Sequence, residues 1–159
     1  MPHGNGNAPS ARDLAELLLD ARTRTLLLVS SVPEDELMAQ HNKLMSPIVW
    51  DLGHIAHFEE LWLIRNLEGP VEFGEMPGMF NPFENPRSVR GQLALPRLSD
   101  SLEVMAQTRR RVLEHVTNAG APKEGDYDPL LRGGYVYKMV LQHEYQHNET
   151  ILQALQLKD

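Results

Sequence analysis

Leu14, Leu17, Leu18, Ala21, Thr25 and Leu28 fall on one stripe when the chain is wound as an α-helix, so the pattern predicts a helix over residues 11–30. Ser10 supplies an N-cap, Asp13 completes a capping-box-like pair three residues on, and Pro33 stops the helix. After a polar stretch over residues 34–43, Ser46-Pro47 signals a new start, with serine as N-cap and proline in the first turn. This second helix is expected to run to about Gly69, with Trp50, His54, Phe58 and Leu61 on one face and His57 on its flank. A third starts at Ser99 or Asp100, where Asp100 and Glu103 make a capping pair, and runs toward Gly120. Its inward residues are Leu102, Met105, Ala106, Val112, Leu113 and Val116. The fourth follows Gly133-Gly134 to the chain end, with Val136, Val140, His143, His147, Ile151 and Ala154 as its inner stripe.

No segment alternates with a period of two residues, which makes the fold class all-α, and a four-helix bundle is the economical packing. Residues 1–10 read as a disordered tail and residues 11–159 as the bundle. Between the second and third helices lies a long loop containing Pro70, Pro77, Pro82, Pro86 and Pro96. Loops of that length in compact domains are commonly functional or disordered.

The formal charge of −7 argues against a nucleic-acid partner, which needs a clustered basic surface. Arg109, Arg110 and Arg111 do cluster, but on a helix they point apart and read as a solvated face. No cysteine is present, so disulfides, zinc ribbons and thiol nucleophiles are excluded and any metal rests on His, Asp or Glu. Neither a secretory signal nor a membrane-length apolar run occurs, so no membrane partner and a cytoplasmic location are expected.

His143 and His147, four apart on one helix, present their imidazoles one turn apart on the same face. The stretch His143-Glu144-Tyr145-Gln146-His147 also fits the H-E-x-x-H zinc-protease pattern, in which Glu144 would be the base. No histidine follows His147, so a third ligand has to come from another helix. His54, on the apolar stripe of the second helix, is the candidate. Three neutral imidazoles leave coordination positions open, as a catalytic site requires, and suit zinc, iron(II) or nickel better than magnesium or calcium. Two histidines four apart also arise by chance, and a buried histidine is often simply hydrogen-bonded core. The third inward histidine favours the metal. His57 is placed behind the ligands, and His3, His41 and His115 in tail, loop and exposed helix. Glu59 and Glu60 read as solvated helix surface, Trp50 and Trp62 as packing. Arg87 and Arg90, from spacing alone, read as solvated loop, although such a pair suits carboxylates.

The stretches MSPIVWDLGHIAHFEELWLIR, NPRSVRGQLALP and YVYKMVLQHEYQHNETILQALQL closely resemble the N-terminal DinB-like domain of the ergothioneine-biosynthesis sulfoxide synthase family. The combination SPxxWDxxH with HExQHxET is far more specific than either histidine pattern alone, and the likeness extends over nearly all the chain after the tail. The resemblance implies a DinB-like bundle with a non-haem iron(II) site on His54, His143 and His147. It implies that Arg87 and Arg90 hold the carboxylates of a thiol substrate, γ-glutamylcysteine or cysteine, and that Gln146 contacts hercynine. The implied reaction is an O₂-dependent joining of the thiol sulfur to the hercynine imidazole, with oxidation to the sulfoxide. Members of that family continue into a second domain like formylglycine-generating enzyme, which carries the catalytic tyrosine. None of Tyr127, Tyr135, Tyr137 or Tyr145 corresponds to it, so no catalytic residue is assigned in this chain. The chain alone is expected to bind metal without completing the reaction, unless a partner chain supplies the absent domain. Two other readings stand beside this one. One is a stand-alone DinB-like S-transferase or isomerase using zinc or nickel and a thiol; the other is a non-enzymatic helical binding module. A zinc protease ranks last, for want of a downstream ligand.

Overall fold

A computed structural model describes residues 9–65, 78–119, 123 and 125–158, and among these the regular structure is all helical. The expected tail falls almost wholly outside the described residues, as do the predicted helix end near Gly69 and the loop positions Pro70 and Pro77. None of the described helices is long and apolar enough to cross a membrane.

Helix α1 spans Ala11–Val29, and both halves of the Ser10/Asp13 capping box form. A one-turn helix, α2 (Glu34–Met38), occupies part of the stretch expected to be irregular; it buries only Leu37, too little for a periodic signal. Helix α3 spans Ile48–Glu59 and widens into a π-helical turn over Glu60–Arg65. Its N-cap is Pro47 rather than Ser46, and the Ser46 hydroxyl instead accepts a bond from Arg90 Nη1 at 2.8 Å. In the loop, Arg87–Gln92 forms a 3₁₀ helix. Helix α4 spans Leu98–Ala119, starting one residue before the expected cap, and its Leu98 N–H donates to Glu34 of α2 at 3.2 Å. Helix α5 spans Tyr135–Gln156 and follows Gly133 and Gly134, whose φ angles of 57° and 73° are left-handed.

Helices α1, α3, α4 and α5 pack on one another, with α2 against α3 and α4. Their apolar residues form two clusters. One gathers Leu14, Leu18, Leu63, Val112, Val116 and Val140; the other gathers Val29, Leu52, Ile55, Met105, Ile151 and Ala154. On each of these four helices, buried polar residues lie between the clusters: Arg22 and Thr25 on α1, Glu59 on α3, Thr108 and Arg109 on α4, Glu144 and Asn148 on α5. A polar layer therefore divides the core into two apolar halves. Several expectations about individual faces are corrected. Arg109 is buried, as are Glu59 and Glu60, while Leu17 and Ala106 are exposed.

The polar layer is an ion tetrad drawn from four helices. Arg22 donates to Glu59 at 2.6 Å and to Glu144 at 2.8 Å. Arg109 donates to Glu59 at 2.5 Å and to Glu144 at 2.6 Å, and also to the Leu18 carbonyl. Two positive and two negative charges cancel, and the remaining guanidinium donors find backbone oxygens such as Met105 O at 2.6 Å. That combination of neutrality and satisfied donors is what buried charges require.

Candidate metal centre

His54 is carried on α3 and His143 and His147 on α5, where the one-turn spacing stacks the latter two. The ring centroids of His54 lie 4.9 Å from those of His143 and His147, and the latter two are 4.6 Å apart. One ring nitrogen from each falls within 4.8 Å of the others. The predicted trio is thus brought together inside the bundle, with His54 buried and the other two half-buried.

What the outer nitrogens do fixes where the inner ones point. His54 Nδ1 lies 2.8 Å from the Phe80 carbonyl, which can only accept, so Nδ1 carries the proton and Nε2 presents its lone pair. His147 Nδ1 lies 3.1 Å from Asp51 Oδ1, giving the same polarity at a second ring. The His54 and His143 Nε2 atoms approach to 3.1 Å. Metal–imidazole bonds of about 2.0–2.1 Å place two nitrogens of one ion about 2.9–3.4 Å apart at angles between square and tetrahedral. The His54–His143 pair therefore has the spacing of two ligands on one first-row divalent ion, and three imidazoles leave positions open for others.

Packing holds the rings in place. Trp50 stacks on His54 at 4.9 Å, and Phe58 lies parallel to His143 at 3.7 Å. Burial drives the His54 imidazole down to about 3 and that of His143 to about 2, helped by the neighbouring histidines, so both stay neutral at ordinary pH. Neutral imidazole is the metal-binding form. Beside them opens a cavity of about 470 Å³, lined among others by His57, Phe58, Trp62 and Phe83. His57 thus lines the cavity and stays outside the cluster.

The other sequence-predicted residues are placed unevenly. Arg87 is exposed, and so is Gln146, on α5 between the two ligand candidates. Arg90 is 5% exposed, donates to the Asn85 carbonyl and to Ser46, and lies 3.4 Å above the Trp50 ring. Burial lowers its guanidinium to about 10. Glu144 does not face the histidines. Arg22, Arg109 and the Thr25 hydroxyl occupy its carboxylate, which removes the base that a protease would need. Sequence reasoning gave no role to Asp51 or Phe80, although Asp51 sits three residues before His54 in the same motif.

The family described as the DinB superfamily matches residues 17–151. Three curated relatives are each called hercynine oxygenase. The protein from Mycobacterium tuberculosis is 40% identical over 153 residues, covering 94% of this chain and 33% of the relative. That from Mycolicibacterium thermoresistibile is 38% identical over 158 residues, covering 94% and 32%. That from Mycolicibacterium smegmatis is 40% identical over 149 residues, covering 92% and 32%. The chain spans about a third of the length of the curated relatives it matches.

Proposed function

The chain belongs to the DinB superfamily, and we propose that it is the metal-binding helical part of an enzyme of the hercynine oxygenase type. The observation that carries this reading is the convergence of three imidazoles from α3 and α5, two of them with Nδ1 already tied to an acceptor. Residues 11–159 form the bundle unit. The remaining part of the active site, including a catalytic tyrosine, comes from a further domain in a longer protein or from a partner chain. The thiol, γ-glutamylcysteine or cysteine, and hercynine are the proposed substrates. Iron(II) is the proposed metal, supplying the redox chemistry for an O₂-dependent oxidation.

This chain's own contribution is geometric. The histidines hold the metal, and the cavity beside His54 and His143, walled by Phe58 and Trp62, shelters the bound imidazole from water. Arg87, exposed in the loop, meets a carboxylate of the thiol directly. Arg90 has to leave Trp50 and Ser46 to do the same. Gln146 lies at the surface beside His147, in reach of a partner domain's side of the substrate.

The test is iron-loaded anaerobic chain with nitric oxide as a spin probe, recorded with and without hercynine. Uptake of one iron, lost in His143→Ala and His147→Ala, and a spectrum altered by hercynine are expected. Iron content unchanged in both variants would overturn the site, and a spectrum indifferent to hercynine would overturn the substrate.

A further inference from the structure

Asp51 is 1% exposed, next to Trp50 in the first turn of α3, and it reaches across to α5. Its Oδ1 lies 3.1 Å from His147 Nδ1, while its Oδ2 has no hydrogen-bond partner among the described residues. A buried carboxylate with half its acceptor capacity unused costs stability, which points to a role beyond packing. Arg90 interacts electrostatically with Asp51 and lies over Trp50, which also stacks on the His54 ring. The two consecutive residues Trp50 and Asp51 thus each brace a different histidine, with one guanidinium behind both.

We propose that Asp51 is a positioning residue of the metal centre: by accepting the His147 Nδ1 proton it fixes the tautomer whose Nε2 faces His54 and His143. This inference rests on the metal-site reading above. A free imidazole in water prefers its proton on Nε2, which at His147 would put a hydrogen where a metal bond has to form. His54 is held in the required tautomer by a backbone carbonyl, which no side-chain substitution removes directly. His147 depends on a side chain and is therefore the ring that can be released. Carboxylates placed behind a ligating imidazole raise its basicity as well as fixing its orientation. The negative charge of Asp51 adds to that effect at the metal.

Long-range ¹H–¹⁵N NMR of the metal-free chain reads the tautomers, and Co²⁺ titration followed by visible absorption reads affinity and ligand geometry. In the wild type, His147 is expected as the Nδ1–H form. In Asp51→Ala, the Nε2–H form gains at His147 while His54 is unchanged, and Co²⁺ affinity falls by about 10- to 100-fold with an altered absorption band. Asp51→Asn keeps an oxygen acceptor and should lose less, which also covers the case that the alanine variant does not fold. An Nε2–H tautomer at His147 in the wild type would overturn the proposal. So would folded variants with wild-type tautomer and affinity, leaving the metal site itself standing. A wild-type chain that binds no Co²⁺ would instead overturn the metal-site reading and this inference with it.

Discussion

His143 and Glu144 are consecutive on α5, lie in the same middle layer of the bundle, and end in opposite kinds of polar surroundings. Glu144 enters the tetrad, where burial alone would raise its carboxyl but Arg22 and Arg109 hold it below its ordinary value. Every charge there has an opposite within hydrogen-bond distance. His143 turns toward two other imidazoles, each of which lowers its affinity for protons further. On that side protons are anchored at the outer nitrogens and lone pairs face inward. A saturated polar cluster holds helices together, whereas a cluster of acceptors aimed at one point suits a cation. Burial is common to both. Hydrogen-bond saturation separates them.

The largest effect should come from breaking the saturated side. Arg109→Met leaves Glu59 and Glu144 facing one guanidinium instead of two, and removing one partner of such a buried network costs about 3–5 kcal/mol. Urea denaturation should show that loss, and a change below about 1 kcal/mol would mean the tetrad is wetter than its burial implies. His143→Ala should invert the pattern. Metal affinity should drop more than about 100-fold, since a ligand matters more than the residues behind it. The metal-free chain should change by only about 1 kcal/mol. Equal losses of stability in the two variants would erase the distinction between clamp and site.

The two regions also differed in how far the sequence revealed them. The histidines were legible because residues 143 and 147 share a face at helical spacing and residue 54 sits on an apolar stripe of a second helix. The tetrad was not, although its phase was available. Arg22 follows Leu14 and Leu18, Arg109 lies between Met105 and Val112, and Glu59 falls between Ile55 and Leu63, all on buried faces. Charge identity outweighed phase, because a lone Arg or Glu on an inner stripe makes sense only when its partners on three other helices are known. Asp51 and Phe80 were hidden for a related reason: what each does depends on a contact 96 or 26 residues away in sequence. The length of α2 put it below the reach of periodicity altogether.

Gly53→Ala sharpens the comparison by straining only the histidine side. A Cβ at Gly53 would run into the Phe80 ring, which is buried and would have to shift. The same residue's carbonyl anchors His54 Nδ1. Overpacking of this kind costs about 1–3 kcal/mol, and displacement of the carbonyl should weaken metal binding in step with it. Reduced stability with unchanged Co²⁺ affinity would show that Phe80 does not hold His54.

Acid should separate the two regions in sequence. Between the ordinary imidazole value of 6.5 and the folded values of about 3 for His54 and about 2 for His143, the unfolded chain binds protons that the folded chain refuses. Stability therefore falls as pH drops below 6.5, and His57, also lowered by burial, acts in the same direction. Glu144 is depressed from 4.5, so the stability it contributes is present above that value and is lost only as pH falls below it. The interval from 6.5 to 4.5 consequently reports on the histidines without the tetrad. Urea midpoints of the metal-free chain should decline across that interval, and His143→Ala should flatten the decline while leaving the steeper loss below 4.5 in place. An unaltered slope in the variant would mean that the folded chain admits a proton at residue 143, and that its lone pair is not reserved for a metal.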